Sequence, residues 1–335
     1  MLQVCVTPGP NKPADIFSFL EPFLTEVREL SESGMIVRIG SGTLKVKGHL
    51  MFVGGDIPAV AKMCGHAGHN HYHGCRFCTI RGNGRDEAQA DHRPKASIRL
   101  SQTFQISDQC LGQQKASPFA TLSSFHGATF FPVDPMHLLG PGIGKQLWRL
   151  ILGDYGESAN PFYLSPKNRQ LIGARIAASR SLIPSSFAGD CGDVATQSGF
   201  YRAVDWIHFV RFFVPTIVLE FYTDPGVRKA IIDLSEIYCY ALSRELSVDQ
   251  IRSLKATVFS WTAWLHEQVR SKKIAAAVFT VNQHYLSHLY KIIERLGPLP
   301  FTAAFAMERA IGELKRRIHS KRHTGANAGN VFVEL

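Results

Sequence analysis

The longest uniform pattern in the sequence is largely helical, and it runs from Leu138 to Leu296, about half of the 335 residues. Four tryptophans supply bulky anchors for the core of such a stretch: Trp148, Trp206, Trp261 and Trp264. Breaks at Ser165-Pro166, Pro184 and 224–226 divide it into separate helices. No internal repeat is present, which excludes a solenoid. The chain is therefore expected to form a large helical body with its own hydrophobic core. The fold class then depends on the segments before and after that body.

The first 56 residues have a different pattern, typical of an α/β fold. Residues 2–7 alternate weakly, as a short strand does, and stop at Pro8-Gly9-Pro10. Asp15 is placed to cap a helix with apolar residues at steps of three and four that ends near Gly34. Residues 43–53 alternate and then become apolar on both faces, which predicts a buried strand before Asp56. Because ligand-binding and catalytic groups commonly lie at strand ends, Asp56 is a candidate site residue.

Metal-binding residue types are dense after Asp56, where Cys75 and Cys78 form a CxxC motif. A closed zinc site needs two more ligands. They can be local, from His69, His71 and His73, or distant, from His284 and His288. The distant pair is four residues apart on a predicted helix that ends at Gly297-Pro298, so both rings point the same way. Two reduced thiols or a redox pair are further interpretations of the CxxC, although its surroundings do not resemble a thioredoxin-like unit. Spacing alone does not choose between the local and the distant site.

Two segments frame the start of the helical body. The polar tract from Arg81 to about Lys115 predicts a long surface loop. Residues 127–137 look extended and end in a turn that contains Asp134 and His137. Their position before the helix near Leu138 fits a helix cap, and the alternative is that Asp134 serves as an acid of the site.

A helix predicted to begin near Phe301 carries Glu308. Its apolar stripe predicts packing on one side: Ala304, Met307, Ile311, Leu314 and Ile318. Glu308 lies beside the stripe between Ala304 and Gly312, so small neighbours leave room for a ligand near its carboxylate.

Charge and composition narrow the class of protein. Lys and Arg number 37 against 27 Asp and Glu, a net charge of +10 that suggests a polyanionic partner. Half of that excess lies within 309–323, and a second, looser basic group is formed by Arg76, Arg81, Arg85, Arg93, Lys95 and Arg99. On charge alone, both groups are expected on solvated surface. Seven cysteines and no export signal indicate reduced thiols or metal ligands, and no apolar run is long enough for a membrane span. The sequence therefore predicts a soluble, intracellular protein without a membrane partner.

Six motifs in order resemble the transposases of CACTA-type (En/Spm, Tnp2-like) DNA transposons and, more distantly, the catalytic core of the V(D)J recombinase. They are Gly55-Asp56-Ile-Pro-Ala, Cys75-xx-Cys78, Asp134-Pro-Met-His137, His284-xxx-His288, Gly297-Pro298 and Glu308-Arg-xx-Gly-xx-Lys315. The resemblance covers nearly the whole chain, from Pro8 to about Arg322. No single motif is specific, and the order of all six carries the likeness.

The resemblance implies a ribonuclease H-like sheet with a DDE triad, split by a helical insertion between the second Asp and the Glu. By that likeness Asp56 is the second acid, Glu308 the third, and the zinc ligands are Cys75, Cys78, His284 and His288. The distant metal site is therefore preferred, with Zn²⁺ as a structural ion and Mg²⁺ or Mn²⁺ as catalytic ions. DNA, as transposon ends, is the implied partner, self-association is possible, and the location is the nucleus. The DNA-binding residues would be Arg309, Lys315, Arg316, Arg317, Lys321 and Arg322. His69, His71 and His73 receive no role.

The resulting fold class is α/β: a partial ribonuclease H-like core, with its first strands missing, interrupted by a large and mainly helical insertion with a zinc site. The domains are 1–58 for the partial core, 59–300 for the insertion, 301–325 for the last core helix with its basic end, and 326–335 for a tail. No strand before Asp56 carries an acid, so the first Asp of the triad is missing and the chain alone is expected to be inactive. A zinc-stapled module that binds DNA or protein without catalysis is the alternative. A zinc hydrolase is a third hypothesis, which requires an open metal position that two Cys and two His do not leave.

Overall fold

The computed structural model describes residues 13–82, 96–184, 191–318 and 323–333. Within these ranges the chain is mostly helical, with a single two-stranded sheet. The strands are β1 (Met35–Ile39) and β2 (Gly42–Val46). The α-helices are α1 (Ile16–Glu32), α2 (Ile57–Met63), α3 (Pro135–His137), α4 (Lys145–Leu152), α5 (Pro166–Ser179), α6 (Val194–Gln197), α7 (Ala203–His208), α8 (Val214–Thr216), α9 (Pro225–Ala241), α10 (Val248–Arg270), α11 (Val281–Leu286), α12 (Leu289–Leu296), α13 (Phe305–Arg317) and α14 (Thr324–Val333).

The first helix forms as the sequence predicts. The side chain of Asp15 accepts a hydrogen bond of 3.0 Å from the backbone N–H of Phe17, which caps α1. The helix ends at Glu32, and Gly34 follows in the left-handed conformation with φ of 73°. The prediction of a helix from Asp15 to about Gly34 is therefore confirmed.

The second predicted strand is shorter than expected, and β2 is exposed along its whole length where the sequence predicted a buried strand. Strands β1 and β2 form an antiparallel hairpin in the register Met35↔Val46, and β2 ends at Val46 instead of Val53. Residues 49–54 continue without a strand partner, although the Val53 N–H donates a hydrogen bond of 2.8 Å to the Phe130 carbonyl. The strand predicted at 2–7 lies outside the described residues. The described sheet is thus only a hairpin, and a ribonuclease H-like core stays a prediction.

The helical body forms around large aromatic side chains. Trp206, Trp261 and Tyr238 are almost completely buried, and α9 and α10 pack side by side. The first turns after α3 form a π-helical stretch, Leu138–Gly144, where the Tyr238 hydroxyl donates to the Leu139 carbonyl. The π-helical turns contain Pro141, which has no N–H to donate to an α-helical ladder. The predicted helical body between 138 and 296 is therefore present, with α11 and α12 at its end.

Two segments before the helical body differ from their predicted conformation or exposure. Residues 127–130 form a short 3₁₀ turn instead of an extended segment, and Phe130 and Phe131 are fully buried. In the predicted surface loop, Arg99, Phe104 and Gln113 are also buried. The loop prediction is wrong for 96–115, because short 3₁₀ turns fold this segment against the CxxC region.

The helix that carries Glu308 begins at Phe305, after a 3₁₀ turn at Leu299–Thr302. Its predicted apolar stripe is only partly covered. Ala304 and Leu314 are buried, whereas Met307 is 39% exposed and Ile311 is 36% exposed. The expectation that the stripe packs along one whole side is therefore wrong within the part of the chain that the structure describes.

Candidate metal centre and carboxylate cluster

Two cysteines and two histidines from distant parts of the chain meet in the interior. Cys75 Sγ lies 3.5 Å from His288 Nε2, and Cys78 Sγ lies 3.3 Å from His284 Nε2. The two Nε2 atoms are 3.0 Å apart, and all four atoms lie within 4.8 Å of one another. All four residues are buried. The distant pairing is therefore the one that forms, and no second group of this kind, including His69, His71 and His73, occurs among the described residues.

The donor set fits zinc in its chemistry and its spacing. Zinc bonds of about 2.3 Å to sulfur and 2.0 Å to nitrogen give tetrahedral edges of roughly 3.5 Å between S and N and roughly 3.3 Å between the nitrogens. The observed separations of 3.5, 3.3 and 3.0 Å are close to these edges. With four buried protein ligands, the site leaves no position for a reactive water. This geometry fits a structural ion and argues against a zinc hydrolase.

The protonation of the donors also suits a metal. The pKa of the Cys78 thiol is lowered, chiefly by its hydrogen bond with Cys75 and then by those with His284 and His288. Burial, together with Cys78, raises the pKa of the Cys75 thiol, so the pair carries one thiolate readily. Burial lowers the pKa of His288 to about 4, which keeps its imidazole neutral. A bound cation would favour loss of the second thiol proton.

A buried polar chain fixes the helix that presents His284. The Trp261 indole N–H donates to the Gln283 side-chain oxygen over 2.9 Å, and the Gln283 amide donates to Gln146 over 2.8 Å. Gln146 in turn donates to the Val278 carbonyl over 2.8 Å. These bonds tie α10, α4 and α11 together beside the first histidine ligand. The His284 ring is thereby oriented by the packed body of the protein.

Arg76, between the two cysteines, connects the metal loop to the segment that leads to Asp134. It is 2% exposed, and it donates to the carbonyls of Phe131 and Pro132 over 3.0 and 2.8 Å. It also donates to the Tyr285 hydroxyl over 3.1 Å and lies over the Tyr285 ring. The expectation that Arg76 belongs to a solvated basic group is wrong, because carbonyl dipoles and aromatic faces replace its water shell.

Arg99 is buried in the same way on the other side of the CxxC. It donates to the Cys75 carbonyl over 3.0 Å and to the Leu111 carbonyl over 2.6 Å. The burial of Arg99 also contradicts the expectation that this basic group is solvated. Of the other members, Arg81 is exposed, and Arg85, Arg93 and Lys95 lie outside the described residues. Neither Arg76 nor Arg99 stood out in the sequence. The one available signal was the position of Arg76 inside the CxxC.

One of the remaining cysteines and two of the clustered histidines make local contacts near the CxxC. Cys64 is buried, contacts the Ala61 carbonyl, and its pKa is raised to about 11 by burial. His71 Nδ1 accepts the His73 N–H over 3.1 Å, and His73 Nδ1 contacts the Thr79 carbonyl over 3.1 Å. These bonds shape the turn before the CxxC.

Asp134 accepts four hydrogen bonds from two helix starts. Its Oδ1 accepts from the backbone N–H groups of Met136 and Ala304, over 3.0 and 2.9 Å. Its Oδ2 accepts from the His137 N–H over 3.3 Å and contacts His137 Nδ1. The cap interpretation is confirmed, and the minor alternative of Asp134 as an acid of the site loses support because its oxygens are already in use.

Asp56 and Glu308 both act electrostatically on His137. The hydrogen bond with Asp134 raises the pKa of His137, burial opposes it, and the charges of Asp134, Asp56 and Glu308 raise it further. Asp56 also caps α2, because its Oδ1 accepts the Ala59 N–H over 2.7 Å. Gly54 lies near the carbonyl of Thr302, just before α13. The segment that leads to Asp56 and the segment that leads to α13 are therefore neighbours in the fold.

A cleft of about 450 Å³ opens beside Asp56. Its wall includes Lys62 and Lys115, so positive charge lies close to the carboxylate, whereas burial lowers the pKa of His66 to about 3 and keeps that ring neutral. The cleft also lies against Pro13 and Ile16 at the start of α1. Among the described residues that line the cleft, Asp56 is the one acid.

The basic residues after Glu308 lie on the surface. Arg309, Lys315, Arg316 and Arg317 are exposed on α13, and Arg317 pairs with Glu313 over 2.8 Å. Lys321 and Arg322 lie outside the described residues. Three exposed cations of α13 are thus left without a carboxylate partner in the described part of the chain.

Comparison with known proteins identifies no relative. No family model matches the sequence, and no curated protein matches it either. Among the helices of the described residues, none combines the length and the apolar character that crossing a bilayer requires.

Proposed function

We propose that the chain is the catalytic region of a cut-and-paste DNA transposase of the CACTA type. The observation that carries the proposal is the buried Cys₂His₂ centre, which joins the segment that follows Asp56 to the segment that precedes Glu308, in the order that the resemblance implies. Strand cleavage and transfer by a DDE mechanism need carboxylates from separate elements at one place. The positions of both acids agree with the motifs that the sequence shares with this family.

The Cys₂His₂ centre has a mechanical role in this proposal. Cys75 and Cys78 lie 19 and 22 residues after Asp56, and His288 lies 20 residues before Glu308. The four side chains would hold a structural zinc ion, which closes the loop that contains the helical body. Asp56 lies shortly before the two cysteines and Glu308 shortly after the two histidines. A bound zinc ion would therefore restrict the motion of the two acids relative to each other.

Asp56 and Glu308 would hold Mg²⁺ or Mn²⁺, which when bound stabilises negative charge on the attacking and leaving oxygens. The protein's own contribution is to place the two carboxylates and to guide the DNA backbone. Lys62 and Lys115 line the cleft at Asp56, and Arg309, Lys315 and Arg316 lie on the helix of Glu308. These cations suit phosphate contacts on either side of the chemistry.

Two carboxylates are fewer than the triad requires. Asp134 is a poor replacement for the first Asp, because its four hydrogen bonds occupy both oxygens. We therefore expect these 335 residues by themselves to bind DNA without cutting it. Nicking of duplex DNA by the purified chain in Mg²⁺ would contradict this part of the proposal. Location in the nucleus and possible self-association follow from the proposed function.

The test of the proposed site is the effect of a divalent ion on DNA affinity. Ca²⁺ bridges acidic residues to phosphates without supporting cleavage, so it is expected to tighten binding of a duplex. Asp56→Asn and Glu308→Gln should each abolish the gain and leave the zinc content unchanged. The matched control is Asp249→Asn, an exposed acid on α10 that should keep the gain. An equal gain in all variants would overturn the site.

The second candidate function is a zinc-stapled module that binds DNA or protein without catalysis. Saturation of Asp134 and the use of Asp56 as a helix cap favour this alternative. In that case duplex affinity survives Asp56→Ala and Glu308→Ala and does not depend on Ca²⁺. The same titrations therefore separate the two functions.

A further inference from the structure

The hairpin β1–β2 has two exposed faces of opposite character. The register places Met35, Val37, Ile39, Leu44 and Val46 on one face. Ile36, Arg38, Thr43 and Lys45 occupy the other face. Lys47 lies one residue past the end of β2, two residues after Lys45, so a continued extended backbone would place it on the same side. Every cation of the hairpin therefore lies on a single side.

The basic face has no acidic counterpart. Arg38, Lys45 and Lys47 are all exposed, and within the described residues none of them forms an ion pair. From residue 33 to residue 55 the sequence contains no Asp or Glu. Repulsion among three cations raises the free energy of this face unless an anion lies against it.

The base of the hairpin is fixed to the end of α1. The Gly34 N–H donates to the Glu29 carbonyl over 3.1 Å, and the Gly48 N–H donates to the Leu30 carbonyl over 3.4 Å. Gly34 has φ of 73°, and a Cβ there would lie 2.7 Å from the Val46 carbonyl oxygen. The base of the hairpin is thus held in place on α1, while the two faces of the hairpin remain largely exposed to solvent.

We propose that the basic face of this hairpin binds the backbone of duplex DNA, as a contact separate from the cations of α13. The proposal rests on the proposed function for its choice of polyanion. Lys45 and Lys47 are two residues apart on one face, about 6.6 to 6.8 Å along the strand. Arg38 is the diagonal neighbour of Lys45, about 7 to 8 Å away. The three cations therefore form a row along the ribbon, with Lys45 between Arg38 and Lys47, that can neutralise successive phosphates.

The ribbon shape selects duplex DNA over duplex RNA. A two-stranded ribbon fits the major groove of B-form DNA, which is about 12 Å wide, with its cations along the groove edge. The major groove of A-form RNA is too narrow to admit such an element. We therefore expect DNA duplex to be bound in preference to RNA duplex.

The experiment measures duplex affinity of the full chain by fluorescence anisotropy across a salt series. The variant Arg38→Gln/Lys45→Gln/Lys47→Gln removes the basic face. The control Lys167→Gln/Lys255→Gln/Lys273→Gln removes three exposed cations elsewhere. We expect the hairpin variant to bind about 10 to 100 times more weakly at 0.1 M salt, with a salt slope shallower by about 2 to 3. The control should change affinity less than about threefold.

Further variants keep each outcome interpretable. Lys45→Arg/Lys47→Arg keeps the charge and should retain full affinity, whereas loss of affinity there would overturn the phosphate contact. If Arg309→Gln/Lys315→Gln/Arg316→Gln weakens binding and the hairpin variant matches its control, the inference fails and the proposed function stands. If neither variant differs from the control, both fail. Equal losses of affinity for duplex RNA or for anionic lipid vesicles would overturn the assignment to DNA.

Discussion

Asp134 and Ala304 are 170 residues apart in the chain, and Asp134 Oδ1 accepts the Ala304 N–H over 2.9 Å. Because Ala304 is the N-cap of α13, this bond fixes the start of the helix that carries Glu308. The same oxygen accepts the Met136 N–H at the start of α3. One buried carboxylate therefore holds both ends of the helical body together beside the candidate site.

Replacing Asp134 should unfold this junction. Asp134→Ala leaves four donors without an acceptor at two helix starts, so we expect a loss of about 2 to 4 kcal/mol in the free energy of unfolding. Urea denaturation followed by circular dichroism measures it. Asp249→Ala, an exposed acid in the first turn of α10, should stay within about 0.5 kcal/mol of the parent. A similar small change in both variants would show that Asp134 is not the clamp.

Removing one ligand should empty the metal centre. Cys75→Ser is expected to lose zinc from the purified protein and to cost on the order of 5 kcal/mol of stability, because metal binding is coupled to folding. Elemental analysis and thermal denaturation give the two readouts. Cys239→Ser, at an exposed free thiol, is the control and should keep both metal and stability. Unchanged zinc content in Cys75→Ser would contradict the Cys₂His₂ assignment.

Arg76 should resist even a charge-conserving change. Arg76→Lys keeps the charge but lacks the planar fork that reaches the Phe131 and Pro132 carbonyls and Tyr285 together. We expect a loss of about 1.5 to 3 kcal/mol in the free energy of unfolding, with the zinc content retained. Arg81→Lys, at an exposed arginine nearby, should be neutral. Equal stability of the two variants would mean that the buried contacts of Arg76 contribute little.

His137 should make stability depend on pH in a defined direction. Its pKa in the folded protein is raised, chiefly by its hydrogen bond with Asp134. The stabilisation is therefore fully present below the unfolded pKa of about 6.5 and is lost as the pH rises through the raised folded value. The difference in unfolding free energy between the parent and His137→Gln, measured from pH 5 to 9, should shrink toward high pH.

His126 provides a control of opposite sign. Burial lowers the pKa of His126, so its neutral form is favoured in the folded protein. The parent should lose stability relative to His126→Gln as the pH falls below about 6.5. A difference for His137→Gln that follows the same direction as that for His126→Gln would contradict the raised pKa of His137.

The sequence correctly predicted several structural features that depend on residues only a few positions apart in the chain. Asp15 caps α1 through the N–H of Phe17, two residues away. The single helix predicted for His284 and His288 is wrong, because α11 ends at Leu286 and His288 is the N-cap of α12, although their Nε2 atoms still lie 3.0 Å apart. The cap interpretation of Asp134 was also available, because two of its donors are on Met136 and His137. The predicted end of the second strand at Val53 failed. Strand length depends on a pairing partner, which adjacent residues do not specify.

The sequence by itself determined that a mostly helical body follows an α/β-like start. It also offered two histidine groups as possible metal-ligand partners of the CxxC, and it placed one candidate acid before the helical body and one after it. Only the tertiary structure decided that His284 and His288 join Cys75 and Cys78, and that Asp134 accepts the N–H of Ala304 at the start of the helix that carries Glu308. It also decided that Arg76 and Arg99 are buried, where the sequence suggested surface. The physical reason is that donors, acceptors and charges interact through space. Packing of the helical body brings residues more than 200 positions apart into contact, and the spacing of residues along the sequence does not specify that packing.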